Sequence, residues 1–207
     1  MAEIPLFPLS TALFPGGTMH LRVFEVRYLD MVKRCLADDT GFGVVVLLSG
    51  REVRTPEGTE TLATVGTMAR ILQCDAPTPA LLELSCTGTT RFRLAAARQG
   101  RYGLWMGEAE LLPEAPAVPV PRTLQPSADA LGRLIAGMQR DGVPAQAMPL
   151  APPFRLDDSG WVADRWAELL PLPPADKARL LAMDDPLARL RIVQDALQGL
   201  PSADDQA

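Results

Sequence analysis

Reactive chemistry in this sequence would have to pass through very few residues. His20 is the only histidine, and the cysteines are Cys35, Cys74 and Cys86. A Ser-His-Asp or Cys-His arrangement would need His20, and no nearby element marks a nucleophile that it could serve. Met19 and Leu21 flank it in a β-prone run, which reads as an inert strand residue; the alternative is a pH-sensitive contact, because imidazole titrates near neutrality. One histidine and three dispersed cysteines do not supply a structural zinc site. The chain has no Gly-Lys pair, so a G-x-x-x-x-G-K-[ST] phosphate loop is absent. Lys33 and Lys177, the two lysines, lack a serine element of the kind Ser-Lys catalysis uses. The pairs Asp38-Asp39, Asp157-Asp158 and Asp184-Asp185 each fall at a predicted helix boundary, where capping explains them better than a metal does. No residue set calls for a catalytic role, a cofactor or a metal.

Surfaces remain. Arg70, Arg91, Arg93, Arg98 and Arg101 could form a basic stripe on a sheet, the best handle for RNA binding. Stacking partners are few, however, and Phe92 alternates to the side opposite Arg91 and Arg93, so a solvated strand face is the plainer account. Met148, Leu150, Phe154 and Trp161 occupy or flank a Pro-rich loop with no period to bury them. They form a candidate docking surface for unfolded segments, with Met supplying adaptable contacts. The competing reading is that this loop folds back and buries them.

The chain has 207 residues, 47% of them hydrophobic and 22% charged, enough for one large domain or two small units with a core. Its net charge is −5: residues 1–112 carry 11 basic against 12 acidic side chains, and residues 113–207 carry 9 against 13. That balance lacks the basic field of a non-specific nucleic-acid binder. The longest aliphatic run, Val44 to Leu48, is too short to cross a bilayer. Nothing at the start has the pattern of a secretory leader, and scattered odd cysteines suit reduced core thiols, so a cytoplasmic setting is expected.

The elements follow from period and punctuation. Ile4, Leu6, Phe7 and Leu9, interrupted by Pro5 and Pro8, suggest an edge strand or extended lead-in. Pro15-Gly16-Gly17 supplies the preset φ and the permissive residue of a type II turn. A strand from Thr18 to Val23 follows, then a helix whose Tyr28, Met31, Val32, Cys35 and Leu36 share a face, with Arg27, Asp30, Lys33 and Arg34 on or beside the other. Further strands are predicted over Phe42 to Leu48 (buried on both faces), Leu62 to Cys74, Leu81 to Cys86, Thr90 to Ala97 and Tyr102 to Leu111, with a hairpin loop from Ser49 to Thr61. Five prolines between Pro113 and Pro126 favour an extended linker. Beyond it the period is helical: a stripe through Ala128, Leu131, Leu134, Ile135 and Met138; a helix capped by Ser159; a short one over Asp176 to Met183; and one capped by Asp185 with Pro186 at its first position. The expected division is therefore a β-rich part over 1–112, a linker over 113–126, a helical part over 127–200 and a flexible tail over 201–207.

The stretch PLFPLSTALFPGGTMHLRVFEVRYLDMV, Pro5 to Val32, resembles the opening of the Lon N-terminal domain, the substrate-binding module of the Lon ATP-dependent protease. That family reads PL-PL, LFPG, VFE-RY in the same order. VGTMARILQ (Val65 to Gln73) and CTGTTRFRL (Cys86 to Leu94) continue the resemblance in register. It implies an α+β fold: an N-terminal PUA-like β-barrel subdomain with one amphipathic helix, followed by a C-terminal helical subdomain. It also implies a homologue without Lon's ATPase and protease modules, non-enzymatic, that binds unfolded or partly unfolded polypeptide and has a protease or chaperone as candidate partner. Glu25 and Arg27 recur in the family pattern and become candidate polar anchors of a peptide site. The alternative is that Glu25 favours the helix N-terminus through the macrodipole while Arg27 ties the helix to a loop.

Overall fold

The computed structural model describes residues 1–52, 60–144 and 148–199. In chain order the elements are strands β1 (Ala2–Leu9) and β2 (Thr18–Val23), helix α1 (Val26–Ala37), and strands β3 (Phe42–Ser49), β4 (Thr61–Thr78), β5 (Leu81–Gln99) and β6 (Trp105–Leu111). Helices α2 (Gln125–Arg140), α3 (Ser159–Leu169), α4 (Pro174–Ala182) and α5 (Pro186–Gln198) follow. They divide into two compact units: Met1–Glu114 with Pro171–Ala182, and Ala115–Leu170 with Met183–Ala207. Helix α4, predicted to group with the helical part, thus belongs to the sheet unit. Most of the predicted 49–61 loop and all of the 201–207 tail lie outside the described residues.

In the first unit the six strands run in the order β2-β5-β4-β3-β1-β6, and β5 pairs again with β6. Strands β5, β4, β3, β1 and β6 therefore close a ring of pairings, with β2 attached outside it. The β1–β3 pair is parallel and the others are antiparallel. Strand β1 is interior to the ring, contrary to the edge position its prolines suggested. Residues 2–6 pair with β6 and residues 6–9 with β3, so β1 changes neighbour at Leu6. Backbone groups of successive residues point to opposite edges, so Pro5 and Pro8, three apart, lose their N–H groups on opposite edges. Each lies in the half of β1 that has a partner on one side only.

Strand β5 also departs from expectation. It runs unbroken for 19 residues where two strands were predicted. The apparent break, at Gly88, is a close approach: a Cβ there would sit 2.2 Å from the Phe14 carbonyl oxygen. Gly88 donates to the Gly17 carbonyl and accepts from the Gly16 amide, both at 2.9 Å, which pins the β1–β2 turn to mid-strand. That turn matches its sequence: Gly16 has φ +72° and the Gly17 amide donates to the Phe14 carbonyl. Strand β6 begins at Trp105, later than expected, because Arg101–Gly103 form a one-turn 3₁₀ helix in which Tyr102 takes φ +57°.

Helix α1 buries Tyr28, Leu29, Met31, Val32 and Cys35 against Phe7, Phe42, Leu84 and Cys86. Its inward face is turned slightly from the predicted one, since Leu29 is covered and Leu36 is exposed. Helix α4 covers β3 and β4. In the second unit the Pro-rich segment is pinned: Val120 donates to Asp157, Ser159 donates to the Val118 carbonyl, and Pro119 bridges Asp158. Helix α3 is capped by Asp158, which accepts from the Gly160 amide; the Ser159 hydroxyl, predicted to cap, donates to the Pro119 carbonyl instead. Asp185 caps α5 as predicted, accepting from the amides of Leu187 and Ala188.

Two strands approach so closely at Gly66 that a Cβ there would meet the Val44 carbonyl oxygen at 2.4 Å and the Phe92 ring at 2.5 Å. Neither can rotate away, since one is backbone and the other is fully buried. Gly66→Ala is expected to lower stability by ~3 kcal/mol, the upper part of the usual range for an overpacked core, read as a lower urea midpoint at unchanged slope.

Candidate functional site

In the first unit a slot of about 180 Å³ opens beside β2. Four successive residues of β2 touch it: His20, Leu21, Arg22 and Val23. Side chains alternate faces along a strand, so a space bordered by four in a row lies against the strand's edge and not over one face. Across from them stand Phe7 and Leu9, alternate residues of β1, and Tyr28 from the first turn of α1. Phe24 and Glu25 close one part of the rim, and Glu52 another.

The apolar wall is rigid. Phe7 stacks on Tyr28 with centroids 4.1 Å apart and leans on Phe42 at 5.9 Å. Arg27, 4% exposed, holds the start of α1: its Nη1 donates to the Gly103 carbonyl at 2.9 Å, and its guanidinium lies 4.5 Å from the Tyr28 ring centre. Nη2 stands 3.1 Å from Glu25 Oε2, an ion-pair distance without hydrogen-bond alignment. The backbone carbonyl of Glu25 accepts from the Tyr28 and Leu29 amides, but its side chain makes no cap bond. At the lip, Phe24 is 56% exposed and Val26 is 64% exposed.

Burial pushes the Tyr28 hydroxyl well above its usual range, opposed by Arg27 and reinforced by Glu25, Glu60 and Glu52. Three carboxylates therefore act on the Tyr28 hydroxyl, two of them, Glu25 and Glu52, from the rim of the slot. Glu25 is paired with Arg27, whereas Glu52 accepts from the Ser10 amide at 2.5 Å and Glu60 from the Trp105 indole N–H. Among the described residues neither Glu52 nor Glu60 has a cationic partner. Arg22 is paired with Glu83, so among the charged residues lining the slot Glu52 is the one without a described ionic partner.

The residues expected to form sites from sequence fare differently. Glu25 and Arg27 come together at the slot, with Arg27 serving as the tie to the Arg101–Gly103 turn and not as an exposed anchor. Leu150 is 1% exposed and Trp161 8%, while Met148 and Phe154 are half-buried and Phe154 meets Trp161 edge-on at 6.3 Å. Leu150 and Trp161 are core, so the expected docking surface of Met148, Leu150, Phe154 and Trp161 is not presented. The arginine stripe is broken as well. Arg91 is covered and donates to the Leu181 carbonyl of α4 at 2.9 Å, Arg98 is paired with Glu3 at 2.5 Å, and Arg101 leans on the Tyr102 ring. Only Arg70 and Arg93 remain as exposed members without a described partner. Sequence reasoning missed Phe7, Leu9, Phe24 and Glu52, and it gave His20 no site. Phe24 carried the one available signal: a large apolar residue at a strand–helix junction, outside both hydrophobic periods.

The sheet unit of this α+β chain thus carries a slot with an aromatic and aliphatic wall and an exposed aromatic lip. A model of the substrate-binding domain of ATP-dependent protease La (LON) matches residues 3–199. The chain is 31% identical over 203 residues to the Lon protease of Paraburkholderia phytofirmans, covering 94% of this chain and 24% of that protein. The crystal structure of a Lon N-terminal domain protein from Xanthomonas campestris superposes with a TM-score of 0.74 at 33% identity, over 97% of this chain and all of that one. The N-terminal domain of a Mycobacterium avium complex Lon protease shares the fold, with a TM-score of 0.61 at 19% identity over 97% of this chain and all of that one. The chain belongs to the Lon substrate-binding domain family, and it spans about a quarter of the curated Lon protease it matches.

The raised ionisation of Tyr28 has a measurable consequence. In the unfolded chain the phenol ionises near 10, and in the folded chain well above it. Between those values the folded state binds more protons, so stability is fully present below pH 10 and falls as pH rises past it. The expected slope is up to ~1.4 kcal/mol per pH unit. Urea midpoints taken at pH 8 and pH 10.5 should show a smaller alkaline loss in Tyr28→Phe than in the wild type; equal losses would mean that Tyr28 is not the group responsible.

Proposed function

We propose that this chain is a non-enzymatic polypeptide-recognition module that holds unfolded or partly unfolded segments at the slot beside β2, and that it acts as an adaptor delivering them to a protease or chaperone. Membership of the Lon substrate-binding family supports substrate recognition in general, and the slot supports the place. The observation that carries the reading is the junction of a rigid apolar wall (Phe7, Leu9, Tyr28) with an exposed aromatic lip, Phe24. An apolar surface left open beside a rigid wall gains by covering an apolar side chain, at roughly 25 cal/mol per Å² removed from water.

The same geometry speaks against catalysis on a small molecule. The slot, at about 180 Å³, is below the roughly 300 Å³ at which ligand pockets usually begin. Among the described residues its walls bring together one histidine, one tyrosine and two carboxylates, with no serine, threonine, cysteine or lysine. No observation favours RNA, since the stripe that would serve it is interrupted by a buried arginine and an ion pair.

Binding of a fluorescein-labelled, reduced and carboxymethylated model protein, followed by anisotropy, tests the proposal. Micromolar association is expected, with the folded, disulfide-intact form of the same protein bound far more weakly. Phe24→Ser should weaken association by about fivefold, ~1 kcal/mol, at unchanged thermal midpoint, because the side chain is already exposed. Phe154→Ser in the second unit should leave association unchanged. Absence of binding by folded wild-type protein would overturn the proposal.

A further inference from the structure

The edge of β2 bordering the slot has hydrogen-bonding capacity that no other described strand uses. Strand β2 pairs with β5 along Thr18↔Thr87 to Val23↔Leu82 without a shift in register, and among the described residues it pairs with no other strand. One residue before this ladder the Gly88 amide donates to the Gly17 carbonyl, so Gly17 faces β5. Antiparallel ladders alternate, so Met19, Leu21 and Val23 also direct their backbone groups to β5, while Thr18, His20 and Arg22 direct theirs away from it. The outward row consists of alternating donors and acceptors spaced as in a strand. It runs along the slot that His20 to Val23 border. Edges of this kind act as templates for another chain unless charge, proline or a bulge blunts them. Here no proline or bulge interrupts β2, and Arg22, the one formal charge in it, is engaged by Glu83.

Three complementarities converge on one kind of occupant. The backbone row asks for a second backbone in extended form. The wall of Phe7, Leu9 and Tyr28 on the far side asks for apolar side chains, and an extended chain delivers them at every second residue. Glu52 on the rim, without a cationic partner among the described residues, asks for positive charge. Resting on the polypeptide-binding reading above, we propose that the occupant is an extended, basic polypeptide segment that adds as a further strand to the free edge of β2, with apolar residues in alternation and a lysine or arginine beside them. Affinity then comes from main-chain hydrogen bonds and selectivity from the alternate side chains, as in other strand-addition modes. Such a site is blind to most of the sequence it binds and selects chains that lack their own structure, since a folded strand has its backbone groups already engaged.

The test uses a fluorescein-labelled heptapeptide, Lys-Val-Ser-Phe-Ser-Val-Lys, with the 207-residue chain, and two singly N-methylated versions, one at Phe and one at the neighbouring Ser. Neighbouring amides face opposite edges, so one N-methyl peptide should bind about tenfold more weakly than the parent and the other within about twofold. His20→Pro removes an outward donor without removing a bond to β5 and should weaken the parent peptide about tenfold, while His20→Ala leaves it within about twofold. Replacing both lysines of the peptide by glutamate should also abolish binding at low salt. If both N-methyl peptides bind like the parent, or the glutamate peptide binds equally well, strand addition is overturned even where Phe24-dependent binding of the unfolded model protein persists. If neither the heptapeptide nor the unfolded protein binds, the polypeptide-binding reading falls and this inference falls with it. The N-methyl comparison decides the matter should His20→Pro fail to fold.

Discussion

The sheet unit depends on one constraint: β5 is longer than any single neighbour along one of its edges. Residues 82–87 of that edge hold β2, and residues 92–99 hold β6. Between them, Gly88 lets the turn after β1 press onto the strand, its missing Cβ making room for the Phe14 carbonyl. Since β6 then pairs with β1, the ring closes through β6 and excludes β2. Among the described residues β2 is therefore held on one side only, and the space between its other side and β1 becomes the slot. Strand length, a glycine and a partner change at Leu6 together make the site.

Around this opening the fold is stiff where binding needs a wall and uncommitted where it needs a partner. Phe7 and Tyr28 are stacked and fully backed by the core, and Arg27 fastens the head of α1 to the Gly103 carbonyl. A buried guanidinium is costly to desolvate, and here a carbonyl, a carboxylate and an aromatic face offset that cost together. Phe24 and Val26, at the junction of β2 and α1, remain in water beside this wall. A preorganised wall lets an incoming chain gain apolar contact without first ordering the protein.

The charge pattern adds selectivity. The protein as a whole is acidic, and three carboxylates of the sheet unit are paired: Glu3 with Arg98, Glu25 with Arg27, Glu83 with Arg22. Glu52, on the rim of the slot, and Glu60 instead accept neutral N–H groups and have no cationic partner among the described residues. The basic residues that might have marked a nucleic-acid surface do not act together: the Arg91 guanidinium holds α4 over the sheet and Arg98 is paired with Glu3, while Arg70 and Arg93 stay exposed.

Sequence alone determined the units that depend on neighbours along the chain. The Pro15-Gly16-Gly17 turn, the limits of β2, the face of α1 apart from Leu29 and Leu36, and the Asp185 cap all follow from local sterics and period, and the family likeness was legible because turn and core residues recur at set spacings. What the sequence could not decide is who lies beside whom. It could not show that Pro5 and Pro8 sit in an interior strand that changes partner between them, that Gly88 continues a strand, that Arg91 faces a helix some ninety residues away, or that Leu150 and Trp161 are core. The slot belongs wholly to this second class. It is defined by the absence of a neighbour along β2 among the described residues, and an unfilled edge leaves no mark on the residues of the strand that carries it.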